Sequence, residues 1–93
     1  MYQIIDKRGS GKTSRLMLLA KENNGTIVCS NPNAMKYKSE AYGITGIEFI
    51  SYFDFLNKKD LNLNKYYIDE LDSFLKYAYN EKGTLDGYTI SLE

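Results

Sequence analysis

Short apolar runs alternate with segments of helical periodicity along the whole chain, and this alternation restricts the fold more than any other feature. Tyr2 to Ile5 is a β-prone run, and the stretch DKRGSG that follows is too rich in glycine to continue a strand or a helix. Lys12 to Glu22 brings strong helix formers with Leu16, Leu19 and Ala20 at i, i+3, i+4, and Asn23-Asn24-Gly25 closes that helix. Thr26 to Ser30 is a continuous apolar strand ended by the turn Asn31-Pro32-Asn33, and Ala34 to Tyr42 is a helix stopped by Gly43. Ile47 to Ile50 is a weaker strand signal. After it, Ser51 caps a short helix with Phe53, Leu56 and Phe55 turned inward. Lys65 to Asp69 (KYYID) is apolar on both faces, which predicts a central parallel strand. Leu71, Phe74, Leu75 and Ala78 then repeat at helical spacing, Gly83 stops the helix, and Tyr88 to Leu92 forms a last strand. The expected fold is α/β: one minimal domain over residues 1–93, in three layers, with a mainly parallel sheet of about five strands between helices.

Composition narrows the chemistry. With no histidine, the chain has no His-based acid/base catalysis, no His metal ligand and no Ser-His or Cys-His nucleophile. Its one cysteine, Cys29, lies in an apolar run and is expected to be a small buried side chain. No apolar run approaches the length of a membrane span, and no basic start leads into a signal-like segment, so a cytoplasmic protein without membrane contact is expected. Charge is balanced overall but divided: the first 38 residues carry seven basic and two acidic side chains, the remainder five and ten. That division suits an anionic ligand near the N-terminal half, and equally a solvated charge segregation with no function.

The stretch Gly9-Ser10-Gly11-Lys12-Thr13 falls between the first strand and the first helix. Glycines there let backbone N–H groups turn inward around phosphate oxygens, and the helix start adds the positive end of its dipole. Lys12 supplies a point charge and Thr13 a hydroxyl for a divalent cation. Far along the chain, Asp69 and Glu70 stand at the carboxyl end of an apolar strand, where an open parallel sheet places its ligand site.

These two stretches resemble the motifs of the P-loop NTPases, whose pattern G-x-x-x-x-G-K-[ST] is met by Gly11, Lys12 and Thr13. Asp6 stands where the family has its first glycine, and a carboxylate there repels a triphosphate unless it turns away or is neutralised. The pieces KRGSGKT, VCSNPN and YIDELD are similar to those of short phage-encoded P-loop proteins, a likeness that covers nearly the whole chain. The resemblance implies an ATP-type nucleotide held by Arg8, Gly9, Ser10, Gly11, Lys12, Thr13 and Ser14, and Mg²⁺ held by Thr13 and Asp69. It also implies catalysis by Lys12 and Glu70, with Glu70 activating water. By the same analogy Thr89 or Ser91 senses the terminal phosphate, although either is ordinary in a strand.

Because no arginine finger or second domain follows the fifth predicted strand, turnover is expected to be slow and to need a second copy or a protein partner for the missing cation. Two other readings stand beside hydrolysis. One is a non-hydrolysing binding module acting through a protein partner, such as a phage accessory or host-interfering factor. The other is a helicase- or terminase-like fragment on DNA, which a chain of zero net charge does not advertise. Tyr37, Tyr42, Tyr77 and Tyr79 could stack on a base, but their helical spacing predicts core packing.

Overall fold

The computed structural model describes residues 3–5, 9, 11–58, 61, 65–80, 83, 86–87 and 89. Seven elements follow one another: α1 (Lys12–Glu22), β1 (Thr26–Cys29), α2 (Pro32–Ala41), β2 (Glu48–Ser51), α3 (Tyr52–Asn57), β3 (Tyr66–Ile68) and α4 (Leu71–Tyr79). The three strands form one parallel sheet in the order β2-β1-β3. β1 is buried throughout and stands at the centre, with Val28 opposite Ile50 on one side and Ile68 on the other.

Side chains alternate across a strand, so β1 supplies both cores. Ile27 and Cys29 face Met17 and Ala20 of α1 and Met35 of α2, with Ile44 completing that cluster. Val28 points the other way, against Tyr52 of α3 and Phe74 of α4. Helices therefore cover both faces, and the α/β layering expected from the sequence is present.

Five strands are not. Among the described residues only three occur, and Gln3–Ile5 carry no strand. Ile5 is 77% exposed, so its β-prone side chain has no sheet surface to pack on, and strand preference depends on such packing. Of the expected strand at Tyr88 to Leu92, only Thr89 is described, exposed and outside any strand; its other residues lie outside the described ones. β3 is also an edge of the described sheet rather than its centre, with Tyr66 53% exposed.

Several inward faces differ from their predicted positions. In α1 it is Met17 with Ala20 that is fully buried. In α3, Tyr52 and Phe55 turn inward while Phe53 and Leu56 face solvent. Ser51 does cap α3, accepting the Asp54 N–H at 3.0 Å. Asn31-Pro32 begins α2 instead of only ending β1: the Asn31 side chain accepts the Ala34 N–H at 3.1 Å and Pro32 occupies the first turn. Tyr37, Tyr42, Tyr77 and Tyr79 are all exposed, which corrects their assignment to a core. Cys29 is buried as expected.

Candidate functional site

α1 enters through Gly11, whose φ of 83° and ψ of 21° lie in the left-handed region. Gly9 also has positive φ, 80°. Among the described residues neither glycine is there for lack of room, because an added Cβ would meet none of them within 4 Å at Gly9 and only the Ser14 hydroxyl at 3.5 Å at Gly11. The requirement is conformational, since left-handed backbone is cheap only for glycine.

The Gly11 carbonyl accepts the Arg15 N–H at 3.1 Å and the Ser14 hydroxyl at 3.0 Å, which ties the first turn to its entry. Ser14 thus braces the turn. No side chain among the described residues caps α1, whose start lies against Gly11. Lys12 and Thr13, both half-buried, stand at that start.

The acid pair arrives from the neighbouring end of the sheet. The Asp69 N–H donates to the Val28 carbonyl at 2.9 Å, extending the β1–β3 ladder by one residue past the strand. Glu70 then takes φ 60° and ψ 70°, a left-handed conformation that costs a residue with a Cβ on the order of 1–2 kcal/mol, and starts α4. The Tyr52 hydroxyl donates to the Asp69 carbonyl at 2.6 Å and to the Glu70 carbonyl at 3.4 Å, holding this turn from behind. The Tyr52 ring stacks edge-on against Phe74 at 5.2 Å. Burial, with Asp69 nearby, pushes the Tyr52 phenol up to about 12, so it stays a donor across the ordinary pH range.

The two junctions meet. The Thr13 hydroxyl donates to the Asp69 carboxylate at 3.3 Å across 56 residues of sequence. Burial is the main force raising the Asp69 pKa, with the Glu70 charge adding to it; the Thr13 hydrogen bond, Lys38 and then Lys12 pull it down. Between the junctions lies a cleft of about 560 Å³ walled by Gly9, Gly11, Lys12, Thr13, Ser14, Lys38, Tyr42, Glu70 and Ser73.

Of the residues expected at a nucleotide site, Gly9, Gly11, Lys12, Thr13, Ser14 and Glu70 line that cleft, and Asp69 joins it through Thr13. Arg8 and Ser10, like Asp6 and Ser91, lie outside the described residues. Lys38, Tyr42, Ser73 and the brace from Tyr52 were not marked as site residues by sequence reasoning. For Lys38 the sequence holds no signal, since a lysine on a helix is ordinary; the i, i+4 spacing of Lys38 and Tyr42 could only have suggested a shared face.

Among the described residues no three His, Cys, Asp or Glu side chains cluster to hold a metal by themselves, and no helix is long and apolar enough to cross a membrane. Comparison with protein-family models, curated proteins and solved structures finds no match to this chain.

Proposed function

We propose that the protein binds a nucleoside triphosphate, by default ATP, together with Mg²⁺, and hydrolyses it slowly. The observation that carries the reading is the 3.3 Å meeting of the Thr13 hydroxyl and the Asp69 carboxylate. A glycine turn and an unrelated acidic helix start have no reason to converge, whereas a phosphate-and-metal site needs both at one point. The convergence of a glycine turn and a helix start on a cleft within the usual size range of small-molecule sites adds support.

In this reading the first-turn amides of α1 and the Lys12 ammonium hold phosphate oxygens, with Gly9 and Gly11 keeping the backbone close. Thr13 Oγ1 and Asp69 Oδ1 are hard oxygen donors, which suits Mg²⁺, and two such ligands fit an ion that takes its remaining positions from water and phosphate. Bound there, Mg²⁺ would neutralise charge on the phosphate oxygens. Glu70 takes a proton from water as the water oxygen bonds to the terminal phosphorus and the bond to the departing diphosphate breaks.

Titration calorimetry with ATP and Mg²⁺ tests the binding: the parent gives a saturable isotherm and Lys12→Ala does not. No heat from the parent would end the reading. Phosphate released by the parent but not by Glu70→Gln, with binding retained in both, establishes hydrolysis. Binding without release from either leaves the module acting through a protein partner, a second reading favoured by the exposed apolar side chains Phe53, Leu56, Tyr66 and Tyr77 on α3, β3 and α4. A phage setting, on the likeness of the three sequence pieces, is compatible with both.

A further inference from the structure

The cleft has a wall that the P-loop pattern does not account for. α2 crosses the same face of the sheet as α1, because Met35 packs into the cluster that holds Met17 and Ala20. The roll of α2 about its axis is fixed: Ser39 is 2% exposed, with its hydroxyl donating to the Ile44 carbonyl, and Asn31 caps the start. With Met35 and Ser39 directed inward, Lys38 and Tyr42 fall on the flank that faces the first turn of α1. The Tyr42 N–H donates to the Lys38 carbonyl at 3.1 Å, so the two are joined at the end of the helix.

Lys38 thereby lines the same cleft as Lys12 and Glu70, which it reaches from a different helix. Two lysines from different helices thus stand in one cleft. In the nucleotide reading Lys12 belongs to the turn that holds the inner phosphates at the start of α1, while Lys38 enters the cleft from α2, where Glu70 also lines it, and so is the lysine left for the end of the polyphosphate.

We propose that Lys38 is the cation that engages the terminal phosphate of the bound nucleoside triphosphate, so that the chain supplies within itself the charge otherwise expected from a second copy or a partner. The inference rests on the nucleotide-binding reading above. During hydrolysis the bond from water oxygen to terminal phosphorus forms, the bond to the diphosphate breaks and the water proton passes to Glu70. The Lys38 ammonium offsets the negative charge spread over the transferring oxygens. Its four-carbon stem lets it follow those oxygens from an exposed helix flank, with Tyr42 walling the cleft beside it.

The test is calorimetric titration of the parent, Lys38→Ala and Lys38→Arg with ATP and separately with ADP, each with Mg²⁺. Losing a charge-assisted contact to the terminal phosphate alone weakens ATP about tenfold in Lys38→Ala and leaves ADP within about twofold, and Lys38→Arg recovers most of the loss. Lys38 is exposed on its helix, where alanine is the best helix former, so the substitution leaves the fold intact and an unchanged circular dichroism melt verifies that. Equal weakening of ATP and ADP, or no weakening of either, overturns the assignment of Lys38 while the nucleotide site stands. A parent that binds neither nucleotide overturns both.

Discussion

The cleft is bounded by two chain reversals that share a backbone conformation and reach it differently. At the start of α1 the left-handed residue is Gly11, with φ 83°; at the start of α4 it is Glu70, with φ 60°. Glycine takes that conformation almost freely, whereas a side-chain-bearing residue pays for it with strain. In the proposed nucleotide site the first reversal contributes only its backbone, whose N–H groups face the phosphates. The second keeps a carboxylate in a strained position although glycine would sit there more comfortably, and the Tyr52 hydroxyl is placed to hold it. Under the proposed hydrolysis, strain retained under an external brace belongs to the side chain itself and not to the turn.

The largest effect follows from inserting a Cβ into the first reversal. Gly11→Ala meets no clash but must occupy left-handed backbone, and the variant loses about 1–2 kcal/mol of stability in a denaturant titration. Where the turn relaxes instead, the α1 amides swing away and ATP binding weakens more than tenfold by calorimetry. Retention of both stability and binding would show that the first reversal does not depend on glycine, and the contrast with Glu70 would collapse.

Removing the brace comes next. Tyr52→Phe keeps the edge-on ring contact with Phe74 and deletes only the hydroxyl, which costs about 1 kcal/mol of stability. Because the hydroxyl touches the carbonyls of Asp69 and Glu70 and no part of the phosphate cradle, the rate of phosphate release falls while the ATP dissociation constant holds. A loss confined to affinity would assign Tyr52 to the cradle instead.

How legible these reversals are in the sequence follows from the physics of each. The glycine turn and α1 are local, set by residue types within a few positions, and the expected span Lys12 to Glu22 is the observed one. The strand ahead of the acid pair is local too: the apolar run expected over Lys65 to Asp69 forms β3 over Tyr66–Ile68, and Asp69-Glu70 follow it. The brace is not local: nothing around Tyr52 announces that its hydroxyl lies against residues 17 and 18 positions away. Lys38 escapes for the same reason, since its place in the cleft depends on how α2 rolls on β1. The β-prone first run was misjudged because a strand exists only with a neighbour to pair with, and apolar residues alone do not supply one.

Relieving the strain at the second reversal gives a smaller and opposite change. Glu70→Gly removes the left-handed penalty and adds freedom to the unfolded chain, and the balance favours the folded state by about 0.5 kcal/mol. The same variant stops releasing phosphate. A gain in stability with a loss of turnover is the signature of strain held for function; a loss of both would mean that the Glu70 side chain supports the fold.

The smallest effect lies in the pH dependence of Asp69, and its sign separates the two reversals once more. The folded protein raises this pKa above its ordinary 3.8, chiefly by burial and then by the Glu70 charge, so the native state holds the proton more tightly than the unfolded chain. By linkage, the ionised carboxylate works against folding. That penalty is absent below the unfolded value, grows as pH rises through the folded one and is complete above it. Asp69→Asn keeps an oxygen to accept from Thr13 and removes the charge, so at pH 7 the variant should be slightly more stable than the parent, and the two should converge on acidification toward the unfolded value. Glu70→Gln removes the charge next in weight and should shift the parent's profile in the same direction by less. Gly11→Ala carries no titrating group and should lower stability by the same amount at every pH, so parallel Gly11→Ala and parent profiles beside a converging Asp69→Asn profile are the expected result. An Asp69→Asn variant less stable than the parent at neutral pH would mean that the carboxylate is already satisfied by Thr13, Lys12 and Lys38 without Mg²⁺.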